Sequence, residues 1–404
     1  MGTAQLASLS GTMLFIAFLF YLVAVFFFGA TIRDKHTTSD EKREKPGIAG
    51  NIGIVLTILG FLSQVTYFVT RWMASGHAPI SNMFEYSTFF SMTITLGFII
   101  IYLIYKTPVL GVFALPITII IIGYASMFPS EISPITASLQ SYWLPIHVST
   151  VSLGQGLLSI SFIAGLIYLV RQINQSVRNK KTTSLEIILF VIMIFLGFSV
   201  ISLIFKSVGY EATFQHIQDE KQMETTYYMP AIAGPYEGEL LSENAMEPWF
   251  DIPSWMHGKD AGRKFNTIIW STLTGAVLYG VIRLFTRKRL GAFLQPFMQK
   301  VKPELLDEIS YRSIAIGFPV FTLGGLIFAS IWAQIAWDRF WGWDPKEVWA
   351  LITWFFYAAF LHLRLSRGWH GEKSAWLAVV GFAIIMFNLI AVNLLLAGLH
   401  SYAS

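Results

Sequence analysis

Residues 11–30 and 378–399 contain no Asp, Glu, Lys or Arg, and comparable runs recur along the whole chain. At 1.5 Å per helical residue, about 20 apolar residues cross a hydrocarbon core of roughly 30 Å. Inside that core every backbone N–H and C=O must bond internally, which leaves helices or a closed barrel. The runs are continuous and do not alternate every second residue, so helices are expected. The expected fold class is an all-α polytopic membrane protein, a bundle of about ten transmembrane helices at 11–30, 50–70, 83–104, 108–127, 148–170, 185–205, 266–286, 313–336, 348–365 and 373–399. Composition agrees: 54% of the 404 residues are hydrophobic and 13% charged, where soluble domains carry about 25% charged residues.

Cations orient the bundle. Arg33, Lys35, Lys42, Arg43 and Lys45 share one loop; Lys106, then Arg171, Arg178, Lys180 and Lys181, follow on the same side. Arg287, Lys288, Arg289, Lys300, Lys302, Arg364, Arg367 and Lys373 continue it. That side is expected to face the cytoplasm (the stroma in a plastid), with both termini outside. Three regions are expected: N-terminal transmembrane helices at 1–205, an acidic extracytoplasmic segment at 206–265, and a C-terminal transmembrane region at 266–404. The acidic segment reads as a small lobe or a flap, and 290–312 as a helix lying on the inner surface. No basic residue precedes the first span, so a cleaved signal is not expected. The chain has no cysteine, hence no disulfide, no thiolate metal site and no thioether of its own to a cofactor. A net charge of +4 gives no reason to expect nucleic acid.

The chemistry concentrates in one turn. Trp337, Trp341, Trp343 and Trp349 fall close together and are interleaved with Asp344, Pro345, Lys346 and Glu347. An aromatic belt at a membrane interface is the plain reading, but a belt spreads its tryptophans over many helix ends. A turn of this kind offers an aromatic shelf with polar groups at its edge, suited to a flat apolar macrocycle bearing carboxylates. His147 opens the fifth span and His400 closes the tenth, both on the side of the turn. Singly, each reads as a hydrogen-bonded anchor; together they read as an axial imidazole pair for iron. His362 lies roughly 20 Å below the turn on helix rise. It is either an interfacial residue beside Arg364 or the ligand of a second, deeper haem. Glu85, just inside the third span, either snorkels, hydrogen-bonds near His77 or pairs with Arg71.

The turn Trp341-Gly-Trp343-Asp344-Pro345-Lys346-Glu347-Val-Trp349 resembles the WWD signature of the haem-handling protein superfamily. Within that superfamily the chain resembles the CcsA/ResC-type subunit of the system II cytochrome c synthase. The resemblance extends to Gly76-His77-Ala-Pro-Ile-Ser-Asn82-Met-Phe-Glu85, to Trp143-Leu-Pro-Ile-His147, to Leu361-His362-Leu-Arg364 and to Gly398-Leu-His400. It departs from the family at Asp338, where Gly usually follows the first tryptophan, and in the length of 206–265.

The resemblance implies a cytochrome c haem-lyase subunit working with a ResB/Ccs1-type membrane partner subunit in the bacterial plasma membrane or the thylakoid. Haem b would enter from the inner side, ligated by His362, the second membrane ligand coming from the partner or from His77. It would move to the WWD shelf between His147 and His400, with Glu85 and Asn82 in support. There it would be presented to the Cys-x-x-Cys-His of an apocytochrome c, whose thiols a thioredoxin-like reductant would keep reduced. Two other classes stand beside this reading. A bis-His haem b electron carrier should pair histidines on facing helices at matching depth. A secondary transporter should show repeats and broken helices near the midplane, and the sequence shows neither.

Overall fold

Where no water is available, a polypeptide satisfies its backbone groups within its own helices. The structure, a computed structural model, describes residues 2–33, 47–132, 140–218, 221–243, 245–253, 255 and 261–392. Helices α1 (Thr3–Arg33), α2 (Ile48–Ser75), α3 (Met83–Tyr105), α4 (Val109–Ala125), α5 (Trp143–Gln172) and α6 (Lys180–Ser207) come first. After a set of short strands follow α7 (Ala261–Thr286), α8 (Leu290–Met298), α9 (Pro303–Thr322), α10 (Ala329–Trp337), α11 (Pro345–Arg367) and α12 (Glu372–Phe387). Among the described residues, 9 helices are long and apolar enough to cross a membrane, and α4, at 17 residues, is shorter. The protein is thus an all-α polytopic membrane protein.

The eighth expected span, 313–336, departs from expectation. A π-helical turn, Leu323–Phe328, joins α9 to α10, so one helix of 35 residues runs Pro303–Trp337. Only α8 stands apart as a short helix; residues 303–312 belong to the long one. Pro303 at the first helical position and Glu304 in the first turn start it there. A second π-turn, Asn388–Val392, continues α12.

The chain separates into two units, residues 1–174 with 294–404, and residues 175–293. In the first, α5 is the central helix, packed against α3, α9 and α12. Lipid tails are as apolar as leucine, so small residues that let backbones approach are what bring such helices together. A Cβ placed on Gly154 of α5 would come within 2.6 Å of the Phe321 backbone nitrogen of α9, and one on Gly156 within 2.7 Å of Thr93 Oγ1 of α3. Near the end that carries the tryptophan turn, Arg71 Nε donates to Glu85 Oε1 at 2.8 Å, both side chains almost fully buried. Glu85 Oε2 accepts from Ser81 N and Oγ, and Arg71 Nη1 donates to Ser130 O. Of the three readings of Glu85, pairing with Arg71 is the one the structure adopts.

The second unit holds α6, α7 and the segment between them. Gly197 of α6 meets Gly275 of α7 backbone to backbone. The acidic segment forms a lobe: β1 (Ala212–Gln218) pairs antiparallel with β2 (Lys221–Tyr227) and, over two residues, with β4 (Glu239–Leu240). A second, parallel pair joins β3 (Ala233–Gly234) to β5 (Phe250–Asp251). Ala212, Phe214, Tyr227 and Ala231 make its small core. Asn266 of α7 ties the lobe down, accepting from Ile232 N and Ala233 N and donating to Ala233 O.

Candidate functional site

His147 sits in the second turn of α5, and its orientation is fixed from the neighbouring long helix. Its Nδ1 lies 2.9 Å from the carbonyl oxygen of Gly324, inside the π-turn. A carbonyl can only accept, so Nδ1 carries the proton and the imidazole lone pair is on Nε2, the nitrogen a metal would take. The ring lies parallel to Trp332, centroids 5.7 Å apart and planes 9° from each other. Trp332 is buried, and Trp337 packs edge-on against it at 4.7 Å. A π-turn inserts one extra residue and re-aims the side chains and carbonyls around it. That insertion brings Gly324 O to His147.

His147 opens onto a cavity of about 160 Å³ that is continuous with solvent. Its walls are mainly apolar, with Val151, Phe321 and Trp332 among them. Asn82 and Tyr86 of α3 line one side, and Gln155, two turns below His147 on α5, lies deeper. Tyr86 Oη donates to Gln155 Oε1 at 2.7 Å. Trp341, Lys346 and Glu347 close the opposite side, joined by Asn388 of the second π-turn. Both π-turns therefore face the same cavity, since Gly325 of the first also lines it.

The tryptophan turn divides by task. Asp344 is the N-cap of α11: its side chain accepts from Lys346 N, while Glu347 Oε2 accepts from Asp344 N at 3.1 Å and Gly342 N at 2.8 Å. With Pro345 at the first helical position, these residues form a capping box that starts the helix. Trp341 meets Trp343 edge to face at 6.2 Å. Trp341 lines the cavity, whereas Trp343 is 69% exposed. Trp349 turns away and lies against Phe387 of α12, centroids 4.3 Å apart. Asp338 and Trp343 both adopt positive φ, +54° and +56°.

The remaining expected residues lie elsewhere. His77 is in the loop between α2 and α3, its Nδ1 3.1 Å from Ala78 O and its Nε2 buried with no hydrogen-bond partner among the described residues. It does not line the cavity. Asn82 also caps α3, accepting from Glu85 N. His362 is exposed on the outside of α11. His400 lies outside the described residues. Trp332, the Tyr86–Gln155 pair and the two π-turns belong to the site and were not anticipated from the sequence.

The fold and site define a polytopic helical membrane protein with an aromatic, histidine-bearing cavity beside its tryptophan turn. The family described as Cytochrome C assembly protein matches residues 267–400. Proteins named cytochrome c biogenesis protein CcsA are similar over most of their length. That of Nostoc punctiforme is 30% identical over 84% of this chain and 85% of its own. That of Trichormus variabilis is 31% identical over the same shares, and that of Pyropia yezoensis 28% identical over 88% and 89%. The chain belongs to the CcsA family of cytochrome c biogenesis proteins.

Cytochrome c assembly implies handling of haem, and the cavity suits haem as a substrate. It offers an imidazole whose tautomer leaves the lone pair on Nε2, and aromatic walls for a macrocycle. Among the described residues that line it, Lys346 is the one lysine or arginine, the group a carboxylate would seek.

Proposed function

We propose that this protein moves haem b through the membrane and presents it at the tryptophan turn for covalent attachment to the Cys-x-x-Cys-His of an apocytochrome c. The observation that carries the reading is His147. Its Nδ1–H is committed to Gly324 O, and the ring borders a cavity that Trp341 and Lys346 also line. In this reading His147 and His400 are the axial ligands at the turn, and Lys346 faces a propionate. The carboxylates of Asp344 and Glu347 hold the turn in shape through the capping box. Trp343, exposed beside Trp341, is available to the incoming polypeptide.

The chemistry asked of the chain is orientation. Each cysteine thiol adds across a vinyl group of ferrous haem: sulfur bonds to one vinyl carbon, hydrogen goes to the other, and no electrons are gained or lost. This chain, having no cysteine, presents the haem and does not bond it. The thiols must arrive reduced, the task assigned to a thioredoxin-like partner. His362, exposed on α11, would ligate haem deeper in the membrane, and its exposure favours a second ligand from a ResB/Ccs1-type subunit over one from His77. The turn and both termini are assigned to the outer side, since Arg364 and Arg367 close the opposite end of α11.

Purification with the partner and a pyridine haemochrome spectrum test the reading. Haem b should co-purify with the parent, and His147→Ala or Trp341→Ala should lower occupancy of the outer site. Added imidazole should restore part of the first loss and none of the second. A haem-free preparation that still matures cytochrome c would refute the proposal.

A further inference from the structure

The outward direction of His362 has a physical cause elsewhere on its helix. Residues 352–363 of α11 are apolar nearly all round, with Trp354, Phe355, Phe356, Phe360, Leu361 and Leu363 spread over every face. In lipid such a pattern does not choose which face turns inward, and polar contacts decide it. Arg364 supplies them. Its Nη1 and Nη2 donate to Asp307 Oδ1 and Oδ2 of α9, each at 2.8 Å, and Nη1 also donates to Ser374 Oγ of α12 at 2.9 Å. The guanidinium carbon lies 4.5 Å from the centre of the Tyr311 ring. Asp307 Oδ1 accepts in addition from Gly371 N at 3.0 Å. Arg364 is buried, so three helices and the short loop 368–371 converge on one ion pair.

At about 100° per residue, two positions along a helix are nearly opposite. Tyr357, Phe360 and Arg364 form the buried stripe, and Ile352, Phe355 and His362 the exposed one. Fixing Arg364 inside therefore fixes His362 outside. We propose that Asp307 and Arg364 are positioning residues that set the rotation of α11 and so aim His362 out of the bundle, where its imidazole meets haem. The proposal rests on the reading of His362 as a haem ligand, and it assigns Asp307 and Arg364 no contact with haem themselves.

The absence of cysteine makes a direct test possible. In His362→Cys, labelled with a nitroxide in detergent and returned to nanodiscs, the label should collide readily with oxygen dissolved in the lipid. Adding Asp307→Ala should lower that accessibility to oxygen, because α11 is no longer held in one rotation. With His362 intact, Asp307→Ala should weaken the low-spin spectrum of the haem held in the membrane, and added imidazole should restore it. Ser374→Ala, which removes one of the contacts of Arg364, should do both more weakly, and it serves if Asp307→Ala does not fold. Unchanged oxygen accessibility and an unchanged spectrum in folded variants would overturn the proposal. A spectrum already unaltered in His362→Gly would instead sink the ligand reading.

Discussion

At one end of the bundle an imidazole is brought inside; at the other it is held outside. His147 is aimed by a bond to its own ring, Nδ1 to Gly324 O, and by stacking on Trp332. His362 is aimed at a distance, through the backbone of α11 and an ion pair two residues on. Each end also has its own buried ion pair, Arg71–Glu85 beside the turn and Arg364–Asp307 at the basic end, the first more deeply buried than the second. In the proposed reading, this difference is what would keep two haem positions distinct. The turn end builds a cavity from its own side chains, while the basic end presents one imidazole on an open face.

The sharpest way to break this comparison is to remove His362. If haem passes from the basic end to the turn, His362→Ala should empty both positions and lower mature cytochrome c by well over tenfold, a larger effect than loss of an orienting partner. Trp343→Ala should keep haem in the membrane and block attachment only. Haem quantification and haem staining of cytochrome c separate the two. Full occupancy at the turn in well-folded His362→Ala, without added imidazole, would disprove the relay.

The ion pairs come next. Glu85→Ala leaves Arg71 buried without its carboxylate and should destabilise the protein by about 3–5 kcal/mol. Asp307→Ala should cost less in stability, because Asp307 is more accessible to solvent. Thermal unfolding in detergent compares them directly. Equal losses would mean that the two ends are not differently built.

Much of this architecture was legible in the sequence, and the misses share a cause. The uncharged runs located the helices because hydrocarbon admits little else. His147 and the tryptophan turn were placed together because both lie at span ends. The π-turns at Leu323–Phe328 and Asn388–Val392 were not legible, since one extra residue per turn leaves no mark in composition. Without the first, neither the contact to Gly324 nor the place of Trp332 could be read. The capping box, by contrast, was readable: Asp344, then Pro345, then Glu347 ahead of an apolar run is a helix-start signature. Taking the whole turn as a haem shelf hid that its carboxylates serve the backbone. Asp344→Ala should therefore cost about 1 kcal/mol as a lost cap, with Asp344→Asn or Asp344→Ser largely restoring stability. If Asp344→Asn instead loses haem as Trp341→Ala does, the carboxylate acts on the ligand.

The smallest effect expected lies at Asp338, where the sequence departs from the glycine that its resemblance implies. Asp338 ends α10 in the left-handed region, φ +54° and ψ +32°, and accepts from Gln334 Nε2 at 3.1 Å on the surface. Side chains resist that conformation, aspartate less than most, and glycine not at all. Asp338→Gly relieves the strain but loses an exposed hydrogen bond and gains freedom in the unfolded chain. The result should lie within about 0.5 kcal/mol of the parent. Asp338→Ala keeps the strain without the side-chain bond and should be less stable by about 1 kcal/mol. The expected order is thus glycine level with aspartate and alanine below both, with haem at the turn unchanged in all three. Alanine as stable as glycine would show that the left-handed turn is not what the position demands. A loss of haem in Asp338→Gly comparable to that in Trp341→Ala would make Asp338 part of the haem site, and the division of the turn between helix start and cavity would have to be redrawn.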